Sequence, residues 1–135
     1  MNKKKYTIAQ ILPALNTGGV ERGVVEISKA LVENNFRSIV ISSGGHMVNQ
    51  ITRYGGIHFD LDVATKNPLK WPKIRSELKR ILESENVDLI HFCSRAPAWI
   101  GVPLGEILDI PIITSVHMRF RKSNVFKKYY NSILT

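Results

Sequence analysis

Two adjacent glycines, Gly18 and Gly19, are the first residues of the sequence that could take part in chemistry. They lie between an apolar run, 8–12, and a segment of helical periodicity that begins near Val20. A glycine pair in this place lets a phosphate approach bare backbone amides at the positive end of a helix dipole. A tight strand-to-helix turn explains the same pair equally well. The glycines therefore suggest a phosphate-binding loop without requiring one.

The usual nucleotide-binding motifs do not occur around these glycines. Residues 18–23 read Gly-Gly-Val-Glu-Arg-Gly, which is not G-x-G-x-x-G, and the second apolar run ends in Ser42-Ser43 without a ribose-binding acid. The sequence also contains no Gly-Lys-Ser or Gly-Lys-Thr. Neither a dinucleotide site nor a P-loop is predicted.

Two more polar residues follow predicted strands. His117 lies just past the fifth apolar run, where it could donate a hydrogen bond to a phosphate or a sugar hydroxyl, or act as an acid or base. A histidine that only caps a loop is the alternative. Arg95 follows the fourth run and could bind an anion. The spacing of His and Cys residues predicts no metal site, and Cys93 has no neighbouring base to activate it.

Composition narrows the class of protein and its partners. A chain of 135 residues with 44% hydrophobic residues can form one globular domain, and its single cysteine excludes an intramolecular disulfide, which favours the cytoplasm. The longest uncharged apolar stretch, 96–105, is about half of the ~20 residues that a membrane span needs. A net charge of +8 favours anionic partners. Nucleic acid is not expected, because the cations are scattered and no aromatic platform accompanies them.

The elements that must position these residues alternate along the chain. Apolar runs predict strands at 8–12, 38–41, 57–61, 87–92 and 112–116, and helical periods follow each of them, the last at 125–134. In the first helix we expect a buried stripe of Val20, Val24, Ile27 and Leu31, which Val25, Ser28 and Val32 widen. Unalternating strands predict an α/β fold with a Rossmann-like, doubly wound parallel sheet, helices on both faces and strand order 3-2-1-4-5. Ligands of such a sheet bind at the carboxyl ends of its strands.

Three segments together carry a resemblance to a known family: 11–22 (Ile-Leu-Pro-Ala-Leu-Asn-Thr-Gly-Gly-Val-Glu-Arg), 87–99, and 111–117 (Pro-Ile-Ile-Thr-Ser-Val-His). In order and spacing they resemble the amino-terminal domain of GT-B glycosyltransferases of family 4. Enzymes of that family have two Rossmann-like domains, the first holding the acceptor and the second most of the nucleotide-sugar. The resemblance implies a retaining reaction with no cofactor, the nucleotide-sugar being a co-substrate.

The resemblance also assigns roles to individual residues. It implies that Gly18 and Gly19 approach the donor diphosphate and that His117, the catalytic residue, lies beside the reacting sugar. It places Asn16, Arg22 and Arg95 on the acceptor side. The donor-binding domain of the family has no counterpart in residues 1–135, so we expect an incomplete amino-terminal domain that is inactive alone and needs a carboxyl-terminal half, which a separate chain could supply.

The expected function is therefore sugar transfer to a lipid-linked or cell-envelope glycan, as in lipopolysaccharide biosynthesis. We expect a cytoplasmic protein that can sit peripherally at the inner face of the membrane. The basic face of the helix at 72–85 is the predicted contact with anionic lipid, through Lys73, Arg75, Lys79 and Arg80. The alternative is a non-enzymatic module that binds phosphate or glycan in the same crevice.

Overall fold

The computed structural model describes residues 5–16 and 18–115, in which five strands alternate with four α-helices. The strands are β1 (Thr7–Ile11), β2 (Arg37–Ser42), β3 (Ile57–Asp60), β4 (Leu89–Phe92) and β5 (Ile112–Thr114). The helices are α1 (Gly19–Glu33), α2 (Val48–Arg53), α3 (Trp71–Ser84) and α4 (Arg95–Leu108), and a 3₁₀ turn at Pro68–Lys70 leads directly into α3. Arg95 is thus the first residue of a helix, whereas the predicted helix at 125–134 and His117 lie outside the described residues.

All strand pairs are parallel, and the sheet has the order β3-β2-β1-β4-β5, which confirms the predicted topology. β1 is the central strand, with Thr7 opposite Arg37 of β2 and Ile8 opposite Leu89 of β4. The sheet reverses its winding between β1 and β4, so the loops that follow these two strands leave the same edge side by side. This edge is where doubly wound folds bind ligands.

Alternate strand residues enter two separate cores, one on each face of the sheet. Ile39 and Ile41 of β2 pack in a cluster with Leu78 of α3 and Leu104 of α4. Val40, between them, packs on the opposite face with side chains of α1, α2 and the β1 loop. Burial on both faces explains why the strands read as continuous apolar runs.

The buried stripe of α1 differs from the predicted one at Ile27. Val24, Val25 and Ser28 are buried, whereas Ile27 is 42% exposed. Ser28 is drawn inward because its hydroxyl lies 2.6 Å from that of Ser38 on β2. A buried hydroxyl needs such a partner, and Ser38 supplies it, whereas Ile27 faces solvent.

None of the helices in residues 5–16 and 18–115 is long and apolar enough to cross a membrane.

Candidate functional site

The loop that follows β1 is fastened to the loop that follows β2. Four backbone hydrogen bonds join them: Leu12 N to Ile41 O at 3.1 Å, Leu15 N to Gly44 O at 2.8 Å, Ser43 N to Pro13 O at 2.9 Å and Met47 N to Leu15 O at 2.9 Å. Leu12 and Leu15 are fully buried beneath this connection. The β1 loop therefore has a fixed path toward the start of α1.

Gly45 makes this fastening possible. Its φ of +142° disfavours any residue with a side chain, and a Cβ atom there would lie 2.5 Å from the Leu15 carbonyl oxygen. The same Cβ would lie 2.7 Å from Oδ1 of Asn16, so the exposed Asn16 side chain reaches over Gly45. Asn16 thus lies where the two loops meet at the carboxyl edge of the sheet.

Gly18 and Gly19 have different surroundings at the start of α1. Gly18 precedes the helix with extended backbone, and a Cβ atom on it would overlap the Glu21 carboxylate. A Cβ atom on Gly19 would meet nothing within 4 Å. The side of Gly19 therefore leaves room beside the first helical turn, whose amides have no partner within the helix itself.

Glu21 changes the electrostatics of this helix start. Its carboxylate folds back toward Gly18, three residues earlier, in the manner of a capping-box acid. A negative charge at a helix amino terminus is favourable, but it competes with any external anion for the same amides. A phosphate bound here needs a compensating cation.

Arg22 supplies a cation one turn into α1, at the wall of a cleft of about 360 Å³. The cleft lies between α1 and the start of α2 and is lined by Arg22, Val25, Glu26, His46, Met47 and Gln50. A guanidinium, a carboxylate and an amide surround two buried apolar side chains, Val25 and Met47. This mixture of donors, acceptors and apolar contact suits a small polyhydroxylated ligand.

The structure places four of the sequence-predicted site residues in one region. Asn16, Gly18, Gly19 and Arg22 all belong to the β1 loop and the first turns of α1. Arg95 begins α4 after the neighbouring strand β4, so its backbone leaves the same sheet edge. The roles of these residues, like that of His117, stay predictions.

A polar pair that sequence reasoning missed lies under the β2 loop. His58 Nε2 is 2.7 Å from Ser42 Oγ, and Ser42 Oγ also accepts a hydrogen bond from Gly44 N at 3.1 Å. Burial lowers the pKa of His58, and the nearby Asp60 carboxylate opposes this shift. The neutral imidazole of His58 therefore supports the loop after β2, which contains Gly44 and Gly45. Only the parallel register, with Val40 opposite His58, brings the pair together, so no local sequence signal reveals it.

Among the described residues, neither a reactive thiol nor a metal-binding cluster adds to this chemistry. Burial raises the pKa of the Cys93 thiol to about 12, so the thiol stays protonated and unreactive near neutral pH. Among the described residues no group of three His, Cys, Asp or Glu side chains could hold a metal ion.

The cations predicted to form a basic face on α3 mostly have intramolecular partners. Arg75 Nε donates to the Ile100 carbonyl at 2.8 Å, Arg80 pairs with Glu77 at 2.7 Å, and Lys79 lies 3.7 Å from Glu83. Lys73 is exposed and forms no ion pair with any residue that the structure describes. The basic face therefore presents less available charge than the sequence implies.

The fold matches part of solved glycosyltransferase structures. A glycosyltransferase from Rickettsia africae matches 98% of this chain at 37% identity with a TM-score of 0.83. MurG from Acinetobacter baumannii matches 93% of the chain at 14% identity with a TM-score of 0.69. The carboxyl-terminal domain of a hydrogenase from Pyrococcus furiosus also matches, with a TM-score of 0.62 at 18% identity over 84% of this chain and 94% of that domain. The last two likenesses show the fold alone, since unrelated functions share it.

The model of Glycosyltransferase Family 4 matches residues 17–135, and this chain belongs to that family. A comparison with the curated proteins found no match. The chain spans 35% of the length of the Rickettsia africae enzyme and 39% of MurG.

Proposed function

We propose that this chain is the acceptor-binding domain of a glycosyltransferase that moves a sugar from a nucleotide-sugar to a lipid-linked or cell-envelope glycan. The observation that carries the proposal is the polar cleft beside the glycine loop, at the carboxyl edge of the sheet, in a member of family 4. A role in lipopolysaccharide biosynthesis, at the inner face of the membrane, belongs to the same proposal.

The cleft fits the acceptor sugar better than the donor. Its volume, about 360 Å³, is near the lower end of the roughly 300–1,000 Å³ of small-molecule sites, which suits one or two sugar rings. Arg22 and Gln50 can donate hydrogen bonds to hydroxyl groups, and the Glu26 carboxylate can accept them. Val25 and Met47 can contact the apolar face of a ring.

In this proposal the donor approaches the open side of Gly19, and His117 lies beside the reacting sugar. Arg95 and Asn16 contact the acceptor at the rim. Because the chain spans about a third of its Rickettsia relative, we propose that a donor-binding half, in the same polypeptide or in a second chain, supplies most of the nucleotide contacts. The reaction is retaining and needs no metal or cofactor.

Titration calorimetry with a panel of short glycans tests the assignment of the cleft. Arg22→Ala and Glu26→Gln should each weaken glycan binding by about tenfold or more, because each removes a hydrogen bond to a charged group. Arg53→Ala, which removes an exposed arginine of α2 outside the cleft, is the matched control. Equal losses for Arg22→Ala and Arg53→Ala would contradict an acceptor site in the cleft.

A second experiment tests the need for a donor-binding half. The purified chain is assayed with nucleotide-sugars and lipid-linked acceptors, with and without a family-type donor domain in trans. We expect turnover only when both halves are present, since positioning two substrates can account for roughly 7–11 kcal/mol of a barrier. Product formed by the 135 residues alone, and lost in His117→Ala, would overturn this expectation.

One observation favours the alternative of a glycan-binding module without transfer activity. The Glu21 carboxylate folds back toward Gly18 at the helix start, where its charge opposes the binding of a diphosphate. If this is the function, glycans bind in the calorimeter, but no donor half restores turnover.

A further inference from the structure

Two opposite charges line the α1 wall of the cleft without pairing. Arg22 and Glu26 are four residues apart on α1, a spacing that puts both side chains on the same face of the helix. Both are exposed, and neither forms an ion pair with the other or with any residue that the structure describes. Lys79 and Glu83, which have the same order and spacing on α3, approach to 3.7 Å. The two charges on α1 are therefore both available to a ligand.

The helix turn that carries these two charges is held from beneath. Gln10 of β1 is fully buried, and its Nε2 donates to the Val24 carbonyl, between the two charged residues, at 3.2 Å. One turn later, the Ser28 and Ser38 hydroxyls join α1 to β2 at 2.6 Å. Buried hydrogen bonds of this kind keep α1 in one position on the sheet. The guanidinium and the carboxylate therefore extend from fixed backbone positions.

The opposite wall of the cleft is also held in place. Met47 N donates to the Leu15 carbonyl at 2.9 Å, and the Met47 side chain is buried. His46 and Gln50 line the same wall with exposed side chains. An imidazole and an amide can both bond to the hydroxyl groups of a sugar. A ligand in the cleft thus meets one cation, one anion and two further polar side chains.

We propose that the acceptor sugar of this cleft is zwitterionic. It is an amino sugar whose ammonium group contacts Glu26 and which carries a phosphate or a carboxylate that contacts Arg22. An ammonium group offers three donors to a carboxylate, and a guanidinium binds either anion through two parallel N–H groups. This inference names the substrate class of the cleft, and it rests on the proposed function for treating the ligand as an acceptor.

A zwitterionic sugar fits the cleft better than a neutral or an anionic one. Hydroxyl groups can bond to Arg22 and Glu26, but they leave both charges uncompensated when the ligand displaces water. A purely anionic sugar would satisfy Arg22 but lie close to the Glu26 carboxylate, which would repel it. Only a ligand with both charges compensates both side chains.

Titration calorimetry of the unmodified chain tests the two charges of the ligand separately. The zwitterionic probes are glucosamine-6-phosphate and muramic acid, which pair an amine with a phosphate and with a carboxylate. Their N-acetylated forms lack the ammonium group, and glucosamine lacks the anion. At least one zwitterionic probe should bind about tenfold more tightly than either of its singly charged relatives, because each relative loses a charged hydrogen bond. The tighter of the two zwitterionic probes identifies the anion.

Two variants assign the charges of the ligand to the side chains. In Arg22→Gln the preference over glucosamine should disappear, and the preference over the N-acetylated form should remain. In Glu26→Gln the opposite should occur. Glutamine is a good helix former, so both variants keep α1. Arg53→Gln and Glu33→Gln, which change exposed residues outside the cleft, are the matched controls and should keep both preferences.

Three results would overturn the proposal. They are no binding of either zwitterionic probe, equal affinity for these probes and their singly charged relatives, or preferences that Arg22→Gln and Glu26→Gln leave intact. Neutral glycans that bind in the cleft while added charges bring no gain would contradict the zwitterionic ligand and leave the acceptor site standing. Charge preferences that respond to the variants as expected, in a chain that no donor half makes active, would support the zwitterionic ligand and contradict sugar transfer.

Discussion

The starts of α1 and α3 are built in opposite ways. α1 begins with two glycines and an acid, Glu21, that folds back over the first of them. α3 begins with lysines at its cap and in its first turn, beside the exposed Leu69. The α1 start satisfies the dipole from within the chain, whereas the α3 start leaves it unsatisfied.

The contrast separates a helix start whose charge agrees with the helix dipole from one whose charges oppose it. Where local chemistry agrees with the fold, as at Glu21, a structural role is a sufficient explanation. Where an ordered segment breaks the local rules, as at Lys70 and Leu69, the fold supplies no such explanation. We therefore expect substitutions at the two helix starts to change stability in opposite directions.

The largest loss in the free energy of unfolding should come from a substitution at Gly45, which lies against the β1 loop that leads to α1. Gly45→Ala forces a side chain into a φ of +142° and against the Leu15 carbonyl, so it should lower the free energy of unfolding by about 3 kcal/mol. Gly23→Ala is the control: nothing lies within 4 Å of a Cβ there, and the α1 interior should gain about 0.5–1 kcal/mol. Urea denaturation measures both. A loss below about 1 kcal/mol in Gly45→Ala would mean that the two loops are not rigidly joined.

A matched pair of neutral substitutions tests the contrast directly. Glu21→Gln should lower the free energy of unfolding and Lys73→Gln should raise it, each by about 0.3–1 kcal/mol, because the first removes a favourable charge from a helix start and the second an unfavourable one. Urea denaturation at low salt measures the two changes. Both should shrink at about 1 M salt, where the screening length is roughly 3 Å. Changes of the same sign would contradict the comparison.

The smallest effect on the free energy of unfolding should come from lowering the pH. The half-buried His58 has a folded-state pKa below its ordinary value of 6.5, so below that pH the unfolded chain binds more protons than the folded chain. The stability contributed by neutral His58 is full above pH 6.5 and declines as the pH falls through the folded pKa. His58→Gln should flatten this part of the pH profile in urea denaturation. A profile that keeps its slope in His58→Gln would assign the acid sensitivity to other groups.

Most of the architecture was predictable from the sequence. The strand predicted at 38–41 is observed at Arg37–Ser42, and the helix predicted at 72–85 is observed at Trp71–Ser84. The order 3-2-1-4-5 follows from unalternating strands and right-handed crossovers and is confirmed. These features depend on local patterns and on rules shared by all parallel sheets.

The details of the site and surface were less accessible. The hydrogen bonds of His58 with Ser42, of Arg75 with Ile100 and of Ser28 with Ser38 each join residues of different elements or loops. Charge counting on α3 predicted a basic face, but it could not tell which cations would find acids. Such pairings depend on tertiary placement, which periodicity does not encode.

The central position of β1 affects when this strand can pair with β4 during protein synthesis. Thr7 N donates to the Asp88 carboxylate at 2.8 Å, a contact that spans 81 residues. At the roughly 5–20 residues per second of protein synthesis, β1 waits about 4–16 s before β4 leaves the ribosome. Throughout that interval one side of the central strand has no neighbour, so a nascent chain of this protein presents unpaired backbone N–H and C=O groups to the cell's chaperones.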